Sequence, residues 1–301
     1  MKKSSLKSAI AALAILPVAA LLAGCAGSAG SSDSASGENE TVKIGVVGAS
    51  DPYWESYVDA AADEGITVEL VDFSDYNQPN PALAEGEVDL NQFQHIVYLA
   101  QYNEANGQDL VPVGSTAIYP LGLYSTQYDS VEDIPDGATV AVPNDPSNLA
   151  RALLVLQSAD LLTLEGGGDS YSTVADIDEA KSRVTVTELD PALTATSLPD
   201  VAAAIINNEF ILDSGLEATD AIAQDDPSDP NSLPYVNVFA ARAEDKDNKT
   251  FKKLVELYQD TKAVTDGVVD NSGGTALIVK TPVEDLEESL KTEQKQIAEQ
   301  G

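Results

Sequence analysis

The chain has 301 residues, with 50 Asp and Glu against 16 Lys and Arg, and a formal net charge of −34 at pH 7. So acidic a chain argues against nucleic acid as a partner and against docking on an anionic membrane surface. With one histidine, His95, and one cysteine, Cys25, it can build neither a multi-histidine metal site nor an internal disulfide.

Residues 1–24 read as a secretory signal. Lys2, Lys3 and Lys7 precede an apolar run from Ala9 to Leu22, interrupted by Pro17. The run is too short for a comfortable transmembrane helix. Leu22-Ala23-Gly24-Cys25 has the form of a lipobox, in which Cys25 is lipidated on sulfur and becomes the new N-terminus. Two or more acyl chains there would anchor the protein stably to a membrane. Residues 25–40 continue as a Gly-, Ser- and Ala-rich tether. Residues 1–24 carry three lysines and no acids, so their removal takes the net charge from −34 to −37.

From Thr41 onward the pattern is α/β. Val42 to Val47 is a β-rich run, a helix is expected from Pro52 to Glu64, and Thr67 to Phe73 alternates as a second strand. This is a β-α-β opening with parallel strands. A short helix is expected within Pro79 to Gly86, and Val88-Asp89-Leu90 reads as a third strand from which a helix leaves near Phe93. Leu110 to Ile118 is strand-like, and Tyr119 to Gly122 is a plausible crossing between lobes. Ala138 to Val142 is a strand, followed by a helix with Asp145 as N-cap and Pro146 at its first position. Strands follow at Val184 to Leu189, Val201 to Ile206 and Tyr235 to Ala241, then helices from Lys249 to Gln259 and from Thr281 to Gln300. The expected architecture is two α/β lobes, the second inserted in the first. Residues 41–120 and 235–301 form one lobe and 121–234 the other. Ligand sites in such sheets lie beyond the C-terminal ends of the strands, where strand order switches.

Two stretches concentrate chemistry. Between Asp72 and Tyr102 lie Tyr76, Phe93, His95, Tyr98 and Tyr102. A helix from Phe93 would place His95, Tyr98 and Tyr102 on one face, either as the wall of a small-molecule pocket or as ordinary core. From Val142 to Arg151, the run VPNDPSNLAR sets a strand end, an N-cap and a helix start before Arg151. A helix N-terminus and a guanidinium together suit a carboxylate. The alternative is that Arg151 pairs with one of the abundant acids. Asn207 and Asn208 after one buried strand, and Asn237 inside another, need partners from backbone or ligand. No GxSxG, P-loop, HExxH or EF-hand spacing occurs, although His95 could serve a serine as base.

Taken together, FSDYNQPNPALAEGEVDLNQFQHIVYL, VGSTAIYPLGLYS, VPNDPSNLAR, AAIINNEF and PYVNVFAAR resemble, in order, the NlpA/MetQ family of methionine-binding lipoproteins. The resemblance runs from about Val42 to about Arg242, and FQHxxY and VPNDPxNxxR carry most of it. It implies a periplasmic-binding-protein fold closing on free methionine, and docking on an ABC importer whose permease and ATPase are other chains. By the same resemblance, Tyr76, Phe93, His95 and Tyr98 wall the ligand side chain. Arg151 takes the ligand carboxylate, with Asn148 on the same helix start. Asn207 and Asn237 orient the amino-acid backbone, and Tyr119 stands near the lobe crossing. No cofactor, metal or catalytic residue is implied. Family members differ in ligand, so a methionine-containing dipeptide, D-methionine or another apolar amino acid stay open as alternatives. A surface hydrolase and a purely structural or adhesive role are further ones. Where the family commonly ends soon after a Gly-Gly pair, this chain has Gly273-Gly274 and then 27 more residues.

Overall fold

The computed structural model describes residues 40–229 and 231–300. The expected signal peptide, the lipidated Cys25 and the tether as far as residue 39 lie outside the described residues. Glu40, expected to close the tether, already pairs with Ile66 at the start of the first strand.

The first lobe begins with β1 (Glu40–Val47), α1 (Tyr53–Asp63) and β2 (Ile66–Phe73), with β1 and β2 parallel. Then come α2 (Pro79–Ala84) and β3 (Leu90–His95), which lies parallel to β1 on its other side, Leu90 beside Ile44. Helix α3 (Ile96–Asn106) closes at Gly107, whose φ of 62° is the left-handed cap glycine adopts without strain. Strands β4 (Val111–Ser115) and β5 (Ala117–Ile118) lead to β6 (Gly122–Tyr124), the first strand of a second sheet. That sheet is completed by β7 (Thr139–Pro143), β8 (Thr185–Leu189), β9 (Ala203–Ile206) and β10 (Ala223–Gln224). Helix α4 (Pro146–Ser158) leaves β7, and the short α5 (Pro191–Thr194) leaves β8. Strand β11 (Asn237–Ala241) returns to the first sheet, antiparallel between β3 and β4. Helices α6 (Lys249–Asp260) and α7 (Lys262–Asn271), strand β12 (Leu277–Ile278) and helix α8 (Val283–Gln300) finish the chain.

Strand order places the site. The first sheet runs β2-β1-β3-β11-β4 and the second β10-β6-β9-β7-β8. In the first, the chain moves outward from β1 to β2 and then crosses back to β3. In the second, it moves from β7 to β8 and then back to β9. Each sheet therefore has one switch of direction among parallel strands, where the loops diverge and leave a crevice. His95 ends β3 at the first switch. Asn148, after β7, and Asn207, after β9, stand at the second.

Each sheet is buried by helices. On one face of the first sheet, Trp54, Tyr57, Phe239 and Tyr258 pack as an aromatic cluster, with Tyr57 and Phe239 centroids 6.1 Å apart. On the other face, Leu83, Ile96, Leu99 and Leu286 join α2, α3 and α8. In the second lobe, Leu149, Leu153 and Leu156 of α4 cover Val140, Val142 and Ile205. A further cluster joins Tyr76 and Phe93 of the first lobe to Ile206 and Phe210 of the second.

One expectation needs correcting at the site. Phe93 lies within β3, and the helix begins only at Ile96. All six residues of β3 are buried. The strand wins because β1 and β11 flank it, and a small amide network answers its polar side chains. Asn80 donates to Gln94 at 2.8 Å, Gln94 donates back to Asn80 at 2.6 Å, and Asn91 donates to Asn80 at 2.9 Å. Tyr102 therefore does not share a wall with His95; it packs at the edge of the α2–α3–α8 cluster.

Candidate functional site

His95 ends β3 and caps α3. Its backbone is extended, with φ −97° and ψ 170°, and its Nδ1 accepts from the Tyr98 backbone N–H at 3.2 Å. That bond requires Nδ1 to be unprotonated, so the proton sits on Nε2, which lies 3.3 Å from Asn148 Oδ1. Burial, and then the Arg151 cation, push the pKa of His95 down to about 3. His95 is a neutral donor bridging the two lobes.

The aromatic wall follows from the strand and the first turn of the helix. Phe93 precedes His95 by two residues and lies on the same face of β3. The centroid of Phe93 is 5.6 Å from that of Tyr98 and 5.7 Å from that of Tyr76. The Tyr98 hydroxyl donates to the Tyr76 carbonyl at 2.9 Å, which holds the loop before α2 against the helix. Phe210 of the second lobe reaches Tyr76 across the cleft, with centroids 5.1 Å apart.

Asp145 caps α4 as expected, accepting from the Asn148 backbone N–H at 2.9 Å. It also accepts from Asn148 Nδ2 at 3.0 and 3.1 Å, while burial raises its pKa against these bonds. With Nδ2 committed, Asn148 Oδ1 has to be an acceptor. It takes the His95 Nε2 proton and a hydrogen bond from Asn207 Nδ2 at 3.0 Å. Asn207 Oδ1 is then left buried without a partner among the described residues.

Arg151 carries a finding that the sequence left open. Its Nε donates to Asp225 Oδ2 at 2.5 Å, and its Nη2 donates to Asp225 Oδ1 at 3.1 Å and to the Tyr119 carbonyl at 2.9 Å. Its Cζ sits 4.3 Å over the Tyr235 ring. The guanidinium is thus aimed by an acid, a carbonyl and an aromatic face, while Nη1 makes no hydrogen bond to a described residue. Asn237 opens β11 directly opposite His95 in the antiparallel register, so both side chains point to the same face. Its amide likewise makes no hydrogen bond to a described residue.

Nine residues singled out from sequence line one cavity: Tyr76, Phe93, His95, Tyr98, Tyr119, Asn148, Arg151, Asn207 and Asn237. In this closed arrangement of the lobes the enclosed space is narrow, about 30 Å3. His95, Asn148, Arg151, Asn207 and Asn237 are each less than a tenth exposed. Gln94, Pro120, Leu121, Asn208 and Glu209 complete the lining. Glu209 was legible in principle, since it follows Asn207 in the turn after a buried strand. Asp225 lies in a polar, Pro-rich loop with no local sign that it would meet Arg151. Among the described residues no three His, Cys, Asp or Glu side chains cluster to hold a metal ion.

Two α/β lobes with facing switch points, closed on a buried cavity of cationic, amide and aromatic groups, define a two-lobed substrate-binding protein. The chain belongs to the NlpA lipoprotein family, whose model matches residues 42–278. It is 41% identical over 223 residues to the D-methionine-binding lipoprotein MetQ of Escherichia coli K12, covering 72% of this chain and 81% of that one. Its fold is similar to that of the substrate-binding protein of a methionine transporter from Streptococcus pneumoniae. The TM-score is 0.74 at 38% identity, over 79% of this chain and 95% of that one. It is also similar to a nutrient-binding protein from Burkholderia cenocepacia bound to methionine. There the TM-score is 0.73 at 39% identity, over 79% and 99% of the two chains.

Proposed function

We propose that this protein captures methionine outside the cytoplasm and delivers it to an ABC importer whose permease and ATPase are separate chains. The observation that carries this is the convergence of one free guanidinium edge, the amides of Asn207 and Asn237, and an aromatic wall on a single cavity between two lobes. A zwitterion with an apolar, sulfur-containing tail needs those three things. Arg151 takes the carboxylate, and Asn207 and Asn237 orient the backbone of the ligand. Tyr76, Phe93 and Tyr98 surround the thioether, where sulfur–aromatic contact adds to apolar burial. Lipid on Cys25 tethers the protein to the membrane, and the lobes divide at about residues 120 and 234. Among the described residues no helix is long and apolar enough to cross a membrane.

No catalytic step is part of this function. Both ring nitrogens of His95 are engaged, and its charge is suppressed, so it offers a serine no base.

The test is calorimetric titration of L- and D-methionine into the full chain, unfolded and refolded beforehand in detergent to strip any carried ligand. One-to-one binding at micromolar or tighter dissociation constant, roughly −8 kcal/mol, is expected. Arg151→Ala should weaken it by about 10- to 150-fold, the worth of a charge-assisted hydrogen bond. No heat from either enantiomer, with binding of a methionine-containing dipeptide or another apolar amino acid instead, would keep the class and change the ligand.

A further inference from the structure

Two groups in the cavity wall are unsuited to a carboxylate or an apolar tail. Asn207 Oδ1 is a buried acceptor with no partner among the described residues. Its orientation is set by the chain of bonds from Asp145 through Asn148, which obliges Asn207 to donate through Nδ2. Glu209 stands two residues further along the same turn and also lines the cavity. Its Oε2 accepts from the Tyr76 hydroxyl at 2.5 Å. No Lys or Arg pairs with it among the described residues, and the fixed charge of the cavity, Arg151, is already bound to Asp225. Glu209 is half-buried, and a carboxylate drawn out of water without a cation is costly. Burial raises the pKa of Glu209, and the neighbouring Asp51 carboxylate adds to the rise. A neutral acceptor and an unpaired carboxylate two residues apart on one turn, both lining the same cavity, form a receptor for a small cation with several N–H donors.

We propose that Glu209 and Oδ1 of Asn207 together hold the α-ammonium group of the ligand, so that a free amine is a requirement for capture. This rests on the reading of the ligand as methionine. It gives the cavity a polarity: the carboxylate lies toward Arg151 and the ammonium toward the turn after β9. An amine-free ligand would leave the Glu209 charge unpaired and would be rejected by more than the lost hydrogen bond alone.

The test compares L-methionine with its des-amino analogue, γ-(methylthio)butyrate, on wild type and Glu209→Gln. Glutamine keeps an acceptor for the Tyr76 hydroxyl and removes only the charge. The wild type should prefer methionine strongly, and Glu209→Gln should shrink that preference at least about tenfold, mainly by weakening methionine. A structural role for Glu209 would weaken both ligands alike and leave their ratio unchanged. A ratio that holds within about threefold in a variant with wild-type circular dichroism therefore overturns the proposal alone. Failure of the wild type to bind methionine overturns the ligand reading, and the proposal with it.

Discussion

Asn148 is the residue on which the site turns. Its amide nitrogen is spent on the Asp145 cap, so its oxygen gathers His95 from the first lobe and Asn207 from the second. Burial and the Arg151 cation keep His95 neutral against the pull of the bond to Asn148, and the neutrality has a measurable consequence. The folded His95 takes a proton only near pH 3, whereas the unfolded chain takes it near the ordinary value of 6.5. The unfolded state therefore binds more protons in that window. The contribution of His95 is intact above pH 6.5 and is lost as pH falls toward 3, by up to about 1.4 kcal/mol per pH unit. Asp51 acts in the opposite sense. Burial raises its pKa from 3.8 to about 6, so its contribution is present at low pH and fades as pH rises through that window. In the wild type the two offset each other over much of the acid range. His95→Gln removes one side of the balance. Its stability relative to wild type should improve by about 2–3 kcal/mol from neutral pH to about pH 4, read by urea unfolding at a series of pH values. A difference independent of pH would show that His95 is not held neutral.

At the scale of elements, close approach and register do the positioning. Helix α6 packs on β4 where Gly114 has no side chain, and a Cβ there would lie 2.2 Å from Val255 Cγ1. The neighbour is a β-branched side chain on a helix, which cannot swing away cheaply. Gly114→Ala should destabilise the protein by about 1–3 kcal/mol through overpacking, measured by chemical denaturation. Gly114→Ala/Val255→Ala should recover part of that loss; no recovery would place the cost elsewhere. Register governs Asn237 in a similar way. Its pairing opposite His95, with a shift between Val238 and Phe239, sends its amide into the cavity. A slip of one residue would turn it to the other face.

At the scale of the whole molecule, charge and closure dominate. A net charge of −34 means that the compact state works against its own repulsion. Most of the ion pairs are exposed, such as Lys43–Glu69 with side chains 48% and 55% accessible, and relieve little of it. The melting temperature of the full chain should therefore rise by several degrees between about 0.05 M and 1 M NaCl, read by calorimetry. A flat or falling dependence would mean that local pairs outweigh the global repulsion. Closure is held by bonds that cross the cleft: Tyr76 to Glu209, His95 to Asn148, and Asn77 Nδ2 to Asp190 Oδ2 at 3.3 Å. All of them lie at or near the cavity rim or wall, so ligand capture and lobe closure draw on the same residues.

The candidate site was largely legible in the sequence because its residues are signalled locally. A cap and a first-turn proline mark the start of α4 and a buried apolar run marks β9, whereas the aromatic-rich stretch reads as a helix and in fact ends β3. Each signal needs only a few neighbouring residues, and helix capping and strand burial act over that same range. The sequence by itself therefore determined the α/β class and the strand ends that precede Asn148 and Asn207. What it misjudged depended on distant neighbours. Phe93 reads as helical until β1 and β11 enclose it. Arg151 reads either as a carboxylate fork or as the partner of one of many acids until Asp225, 74 residues away, binds two of its nitrogens. Glu209 is one acid among fifty until Tyr76, 133 residues away, closes over it. Only the tertiary structure decided these, because hydrogen-bond partners and burial in a cleft are set by which loops the two sheets bring face to face.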